Sequence, residues 1–280
     1  MRYSERFRVA PGSEVVLRDI DPSWNDKHES KESAEAGLAA QAGKLRDLQY
    51  LLYAEDRRAV LLCLQGLDAA GKDGTITHVL GPMNPQGTRM HAFKVPSREE
   101  AAHDFLWRAH QHAPAKGEVV IFNRSHYEDV LVARVHDLVP KSVWSKRYDQ
   151  INAFERTLAE AGTHILKFYL HISAEEQLER FKQRLDDPAR RWKISETDYT
   201  ERALWHQYRA AYEEALSRTS TPHAPWYVIP SNHKWFRNLA VSDIVIETLE
   251  SLGMELPRPT IDLADIRRRY HEAANKKKTR

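Results

Sequence analysis

The chain has 280 residues, 41% of them hydrophobic and 29% charged, with 42 Lys and Arg against 40 Asp and Glu for a formal net charge of +2. This is the composition of a folded chain that buries a core, and it lacks the global positive field of a nucleic-acid binder. The single cysteine, Cys63, excludes an internal disulfide or a cysteine metal site, and no apolar run approaches the ~20 residues of a membrane span, so a cytoplasmic protein without a membrane partner is expected.

Residues 1–30 are polar, contain Pro11 and Pro22, and are expected to form an extended arm over the surface. From Lys31 to about Asp56, Leu38, Leu45, Leu48 and Leu52 recur at helical spacing. This predicts a long amphipathic helix packed on the domain, with an oligomer contact as the alternative. A strand from Ala59 to Gln65 then runs into a glycine loop and a helix from Lys72 to Leu80. Met90 to Val95 reads as a short strand, and Ser97 with Glu100 as a capping box opening a helix to about His112. Further strands are expected at 118–123, 164–172 and 225–230, with helices at 141–161, 197–216 and 237–252. Ser173 and Glu176 mark the start of one more helix. Strands alternating with helices over the whole length predict a three-layer α/β/α fold, a parallel sheet covered on both faces. We expect one domain, with a helical lid inserted at about 178–200 and a solvated basic tail at 271–280.

Residues 66–74 read Gly-Leu-Asp-Ala-Ala-Gly-Lys-Asp-Gly, between a predicted strand and a predicted helix. In that context Gly66, Ala69, Ala70, Gly71, Lys72, Asp73 and Gly74 form a phosphate cradle of backbone N–H groups, with Lys72 as a point charge. Two acids are out of place. Asp73 stands where Ser or Thr commonly supplies a metal-binding hydroxyl, and Thr75 is a candidate substitute. Asp73 reads as a favourable charge on the helix N-terminus. Asp68 lies inside the loop, where an unpaired carboxylate would repel phosphate, so a metal or an acceptor group is expected beside it.

The strand at 118–123 ends in Asn123-Arg124-Ser125-His126-Tyr127-Glu128-Asp129, at the carboxyl edge of the sheet with the glycine loop. Arg124 suits bidentate phosphate contact, Asn123, Arg124, Tyr127 and Glu128 are nucleotide-binding candidates, and Glu128 could join Asp68 on a metal. His126 is equally well a structural histidine. Between Arg180 and Lys193 the chain carries Arg184, Arg190 and Arg191 as well, around a break at Asp187-Pro188. This suggests a lid bringing cations to phosphates. Lys234 and Arg237, after the last strand, are further nucleotide-binding candidates, whereas Trp192, Trp205, Tyr208 and Tyr212 are expected to pack.

With Gly66-Leu-Asp-Ala-Ala-Gly-Lys-Asp-Gly74, Phe122-Asn-Arg-Ser-His-Tyr-Glu-Asp129 and the Arg180–Lys193 stretch in this order, the chain resembles the polyphosphate kinase 2 family over nearly its full length. The Asn-Arg-Ser-His-Tyr-Glu-Asp form is similar to class III, whose members phosphorylate nucleoside monophosphates and diphosphates. The resemblance implies a thymidylate-kinase-like P-loop fold with a lid. It also implies a divalent cofactor, Mg²⁺ with Mn²⁺ as the alternative. The implied activity is reversible phosphoryl transfer from inorganic polyphosphate to AMP or ADP, with guanine nucleotides as further acceptors, in a homo-oligomer. Asp68, Lys72, Arg124 and Glu128 would be catalytic. Many relatives have Asp at the Asn123 position, so a carboxylate role does not carry over there. The alternatives are an ATP-dependent nucleoside monophosphate kinase and a non-catalytic polyphosphate- or nucleotide-binding module.

Overall fold

The structure, a computed structural model, describes residues 2–25 and 30–278. The chain opens with α1 (Tyr3–Phe7), followed after the arm by α2 (Lys31–Glu55), β1 (Ala59–Gln65), α3 (Lys72–Leu80), β2 (Thr88–Ala92), α4 (Trp107–His112) and β3 (Val119–Asn123). It continues through α5 (Val132–Val135), α6 (Lys141–Glu160), β4 (Thr163–His171), α7 (Ala174–Asp186), α8 (Glu196–Ala203), α9 (Trp205–Thr219), β5 (Trp226–Pro230), α10 (Lys234–Ser251) and α11 (Leu263–Lys278). The strands form one parallel sheet in the order β2-β3-β1-β4-β5, and helices pack on it, which is a P-loop kinase fold. All seven residues of β1 are buried, as the unbroken run Val60-Leu61-Leu62-Cys63-Leu64 requires of a strand covered on both faces. With β3 and β4 flanking β1, the loops that leave β1 and β3 emerge side by side at the carboxyl edge.

Helix α2 begins at a Ser30 cap, stops at Asp56 in the left-handed region, and packs on α10 through a face that includes Ala34, Leu45 and Leu52. The packing reading of this helix therefore holds. The arm differs from expectation. Tyr3 and Phe7 are buried against Phe236 together with Trp24, and Arg8 bridges Tyr227 at the outer strand. Its aromatics have apolar surface to cover, so the segment is anchored rather than laid over the exterior. Met1 and residues 26–29 of this segment lie outside the described residues.

Two helix boundaries also differ. Ser97 and Glu100 do exchange capping bonds, but the helix breaks after a single 3-10 turn and resumes only at Trp107. The expected 197–216 helix is interrupted at Leu204, between α8 and α9. The basic tail continues α11 to Lys278, while Thr279 and Arg280 lie outside the described residues. No described helix is long and apolar enough to cross a membrane.

Candidate active site

The glycine loop is held from behind through its carbonyl oxygens. Gln177 Nε2 donates to Asp68 O at 2.9 Å, and Arg180 Nη1 donates to Ala69 O at 2.8 Å and Ala70 O at 3.1 Å. Arg237 Nη1 adds a bond to Ala70 O at 3.2 Å. These bonds occupy oxygens that would otherwise face an anion, leaving the loop's character to its N–H groups and the start of α3. Gly71 has φ +109°, and a Cβ there would sit 1.7 Å from Arg237 Nη1. The second glycine of the motif is thus required twice, by its backbone and by the guanidinium packed under it.

Lys72 folds back on the loop, Nζ donating to Gly66 O at 2.6 Å and Leu67 O at 3.3 Å. Burial, then Arg124, push its pKa down to about 8 against the pull of Asp68 and Glu128. Arg237 is 3% exposed, and burial and Arg180 lower its pKa to about 9. Its described hydrogen bonds go to Ala70 O and the Asn238 amide, none to a carboxylate.

Arg124, in the left-handed region at φ 60°, stands at the centre of the site. Its Nη2 meets Asp68 Oδ1 at 3.0 Å and its Nη1 meets Glu128 Oε2 at 3.2 Å. Burial opposes its charge, but Glu128 and Asp68 prevail and hold the pKa above the ordinary arginine value. On one side of this triad lies a cavity of about 1070 Å³ lined by the loop, Lys94, Asn123, Arg180, Arg184, Arg190, Lys193, Lys234 and Arg237. On the other lies a cavity of about 280 Å³ whose walls include Leu67, Leu131, Val132, Trp205 and Tyr212, with His136, Glu201 and Tyr208 among its polar groups. Asp68 and Arg124 line both. A third cavity, of about 780 Å³, lies under the N-terminal arm and includes no residue of the loop.

The cationic stretch is divided between two roles. Arg180 is on α7, 5% exposed, and spends its guanidinium on Ala69, Ala70, Ser231 and Asn232 carbonyls and on Glu176, so it props the loop rather than moving with a lid. Arg184 is 3.7 Å from Asp198 and Arg190 is 3.0 Å from Asp187, both at the cavity wall. Lys193 is 3.7 Å from Asp73, tying the segment after α7 to the start of α3. Arg191 donates to Leu185 O, and the cavity lining passes it by for its neighbours Arg190 and Trp192. Trp192 was expected to pack but is 78% exposed and lines the basic cavity.

The structure divides the nucleotide candidates between the cavities and the interior. Asn123, Lys234 and Arg237 line the basic cavity and not the apolar one. Tyr127 is wholly buried behind the loop, with its hydroxyl 2.9 Å from Glu155 Oε1 and from Thr219 Oγ1, out of reach of a ligand. His126 is buried and bonded to Glu155, the structural alternative. Thr75 is buried and its hydroxyl donates to Gly71 O, so it does not replace the missing serine. Ala70 is buried at the loop base. The apolar cavity's Gln177, His136, Glu201 and Arg202 were missed; all lie more than 60 positions beyond the glycine loop in the chain, with no local pattern to reveal them.

Among the described residues no cluster of three His, Cys, Asp or Glu could hold a metal on protein ligands alone. Asp68, which lines both cavities, and Glu128, which lines the smaller, nevertheless offer hard carboxylate oxygens on either side of Arg124. That donor set fits Mg²⁺, which commonly takes one or two carboxylates and completes its shell with phosphate oxygens and water.

The family model for Polyphosphate kinase 2 matches residues 28–256. The chain belongs to the polyphosphate kinase 2 family. It is 52% identical over 256 residues to an AMP/ADP-polyphosphate phosphotransferase of Meiothermus ruber, covering 91% of this chain and 96% of that one. It is 45% identical over 269 residues to an ADP-polyphosphate phosphotransferase of Rhodopseudomonas palustris, covering 92% and 93%. The crystal structure of polyphosphate kinase 2 from Arthrobacter aurescens TC1 superimposes with a TM-score of 0.94 at 42% identity, covering 97% of each chain.

Proposed function

We propose that the protein transfers the terminal phosphoryl group of inorganic polyphosphate to AMP or ADP, and that the basic cavity takes the donor and the smaller cavity the acceptor. The observation that carries this reading is that the two cavities share Asp68 and Arg124. A linear polyanion needs a long run of cations, which the larger cavity supplies. A nucleoside needs apolar walls and a few polar groups, which the smaller one supplies. The names of the Meiothermus and Rhodopseudomonas relatives support the same pair of substrates.

A terminal phosphate oxygen of the acceptor attacks the terminal phosphorus of the donor, and the donor's P–O–P bond breaks to leave a polyphosphate shorter by one. One phosphoanhydride replaces another, so the reaction runs both ways. A loose transition state needs its spreading negative charge neutralised more than it needs covalent help. Lys72 and the loop N–H groups hold the donor's end. Arg124, already aimed by Asp68 and Glu128, reaches oxygens on either partner. Asp68 and Glu128 would hold Mg²⁺, which when bound supplies further neutralisation of the phosphates. Lys193, Arg184 and Arg190 hold the rest of the donor chain, and the segment carrying them excludes water when it closes.

The test incubates the protein with AMP or ADP, Mg²⁺, and either polyphosphate or ATP, and reads the nucleotides formed. ATP from ADP and polyphosphate is expected, and its loss in Lys72→Ala with the fold retained. Product formed with ATP as donor but never with polyphosphate would overturn the proposal.

A further inference from the structure

Behind the site lies a set of polar groups that the reaction does not touch. Lys167 on β4, Glu155 on α6, and His126 and Tyr127 on the loop after β3 are all wholly buried. Lys167 Nζ donates to Glu155 Oε2 at 2.5 Å, to Tyr127 Oη at 2.9 Å and to Thr219 O at 2.7 Å. Glu155 Oε1 accepts from His126 Nε2 at 3.2 Å, and the Tyr127 hydroxyl lies 2.9 Å away. Trp226 Nε1 closes the cluster on Thr219 Oγ1 at 2.9 Å. Burial lowers the His126 pKa, so its ring is neutral and carries its proton on the nitrogen facing Glu155.

A buried ion pair is a poor means of stabilising a fold. Well-packed apolar residues of similar volume do as well or better, because desolvation offsets the attraction. What the cluster supplies and a methionine cannot is direction. The turn after β3 divides its side chains: Arg124 and Glu128 at its two ends face the smaller cavity, while Ser125, His126 and Tyr127 between them point back into the interior. Ser125 adds to the same anchorage, its hydroxyl accepting from Gln65 Nε2 at 3.1 Å and from Tyr127 N at 3.3 Å. The left-handed backbone at Arg124 has to be held by its surroundings, since a non-glycine residue does not prefer it.

We propose that Lys167, Glu155, His126 and Tyr127 are positioning residues, fixing the turn so that Arg124 and Glu128 meet the transferring phosphoryl group in register. This rests on the phosphotransfer reading above. The four residues come from a strand, a helix and the turn itself, so the turn is clamped to both the sheet and α6. Reacting groups displaced by about 1 Å lose on the order of a hundredfold in rate. Such a loss falls on kcat, because the cations that hold the donor chain stand on other elements.

The experiment uses the full chain and the double variant Lys167→Met/Glu155→Leu, which removes both charges together and leaves no buried ion unpaired. Initial rates are measured with ADP, Mg²⁺ and polyphosphate well below the melting temperature. A kcat lowered roughly 10- to 100-fold, with the KM for polyphosphate within about twofold of wild type, is expected. A folded double variant with wild-type kcat overturns the proposal, since a merely structural cluster would move Tm and leave the turnover of folded protein alone. If the double variant does not fold, Tyr127→Phe decides: it keeps the ring and removes the hydroxyl's bonds. A kcat at least about fivefold lower at unchanged KM supports positioning, and wild-type kcat overturns it. Absence of turnover in the wild type sinks the activity reading and this one together, whereas active wild type with unaltered variants sinks this one alone.

Discussion

Lys72 links the loop's structure to a measurable pH dependence. In the substrate-free protein its pKa is pushed from the ordinary 10.5 to about 8, by burial first and by Arg124 second. Its protonated fraction then falls from roughly 0.9 at pH 7 to roughly 0.1 at pH 9. Because kcat/KM reports the ionisation of the free enzyme, kcat/KM for polyphosphate is expected to drop about tenfold over that interval. Bound phosphate restores the charge, so kcat at saturating polyphosphate declines much less, and binding at pH 9 takes up close to one proton. The sign for stability is opposite. Between pH 8 and 10.5 the unfolded chain holds this proton and the folded one has lost it, so this residue's contribution rises with pH in that window. At about 1.4 kcal/mol per pH unit the gain is at most ~3 kcal/mol, and less in practice because the side chain keeps some contact with water. Initial rates at low polyphosphate between about pH 6.5 and 9.5, with Lys72→Arg as control, check the reasoning. A flat profile, or the same alkaline limb in the arginine variant, refutes it.

Two further perturbations probe the support beneath the loop. Arg237→Met removes a buried cation with no carboxylate partner among its described bonds. Tm is expected to hold or rise, by an equivalent of ~1 kcal/mol, while KM for polyphosphate increases about tenfold; thermal unfolding and initial rates read both. Gly71→Ala places a methyl 1.7 Å from Arg237 Nη1 on a backbone at φ +109°. About 2 kcal/mol of stability is expected to be lost in denaturant titration, with a KM for polyphosphate raised at least tenfold.

Local chemistry made much of this legible. The apolar run before Gly66 could only be a covered strand, and a loop of that spacing between strand and helix predicts its own phosphate site. Arg124 followed from the same edge of the sheet. What remained hidden depends on distant packing. Arg180 reads as a lid cation and Arg237 as a nucleotide contact in the sequence, yet both are buried and donate to the loop's carbonyls from below. Tyr127 looked like a ligand contact because it sits between Arg124 and Glu128, but the turn points Ser125, His126 and Tyr127 inward together, and only partners distant in sequence, Glu155 and Thr219, reveal this. The walls of the smaller cavity come from α5, α7, α8 and α9, which no single stretch of sequence brings together. The N-terminal arm was misjudged because its polar residues outnumber the few aromatics that anchor it.

The acid inside the loop has a second consequence. Asp73 takes the place of the usual hydroxyl and Thr75 is spent on Gly71, so Asp68 and Glu128 are the carboxylates that remain on either side of Arg124. Without substrate both are engaged by Arg124, which means the same guanidinium must serve two carboxylates now and phosphate later. Asp68 therefore competes with the donor for Arg124 while being needed for turnover, and its removal separates the two roles. In Asp68→Asn the ion pair at 3.0 Å is lost and Arg124 is freed. The pair is partly exposed, so its attraction is on the order of 1 kcal/mol, and polyphosphate is expected to bind about fivefold more tightly without divalent metal. Turnover is expected to fall about a thousandfold or more, since the carboxylate at the reacting centre is gone. Calorimetric binding in chelator, beside initial rates with Mg²⁺, reads the two quantities separately. Weaker polyphosphate binding by the asparagine variant would mean that Asp68 organises Arg124 for the donor and does not compete for it.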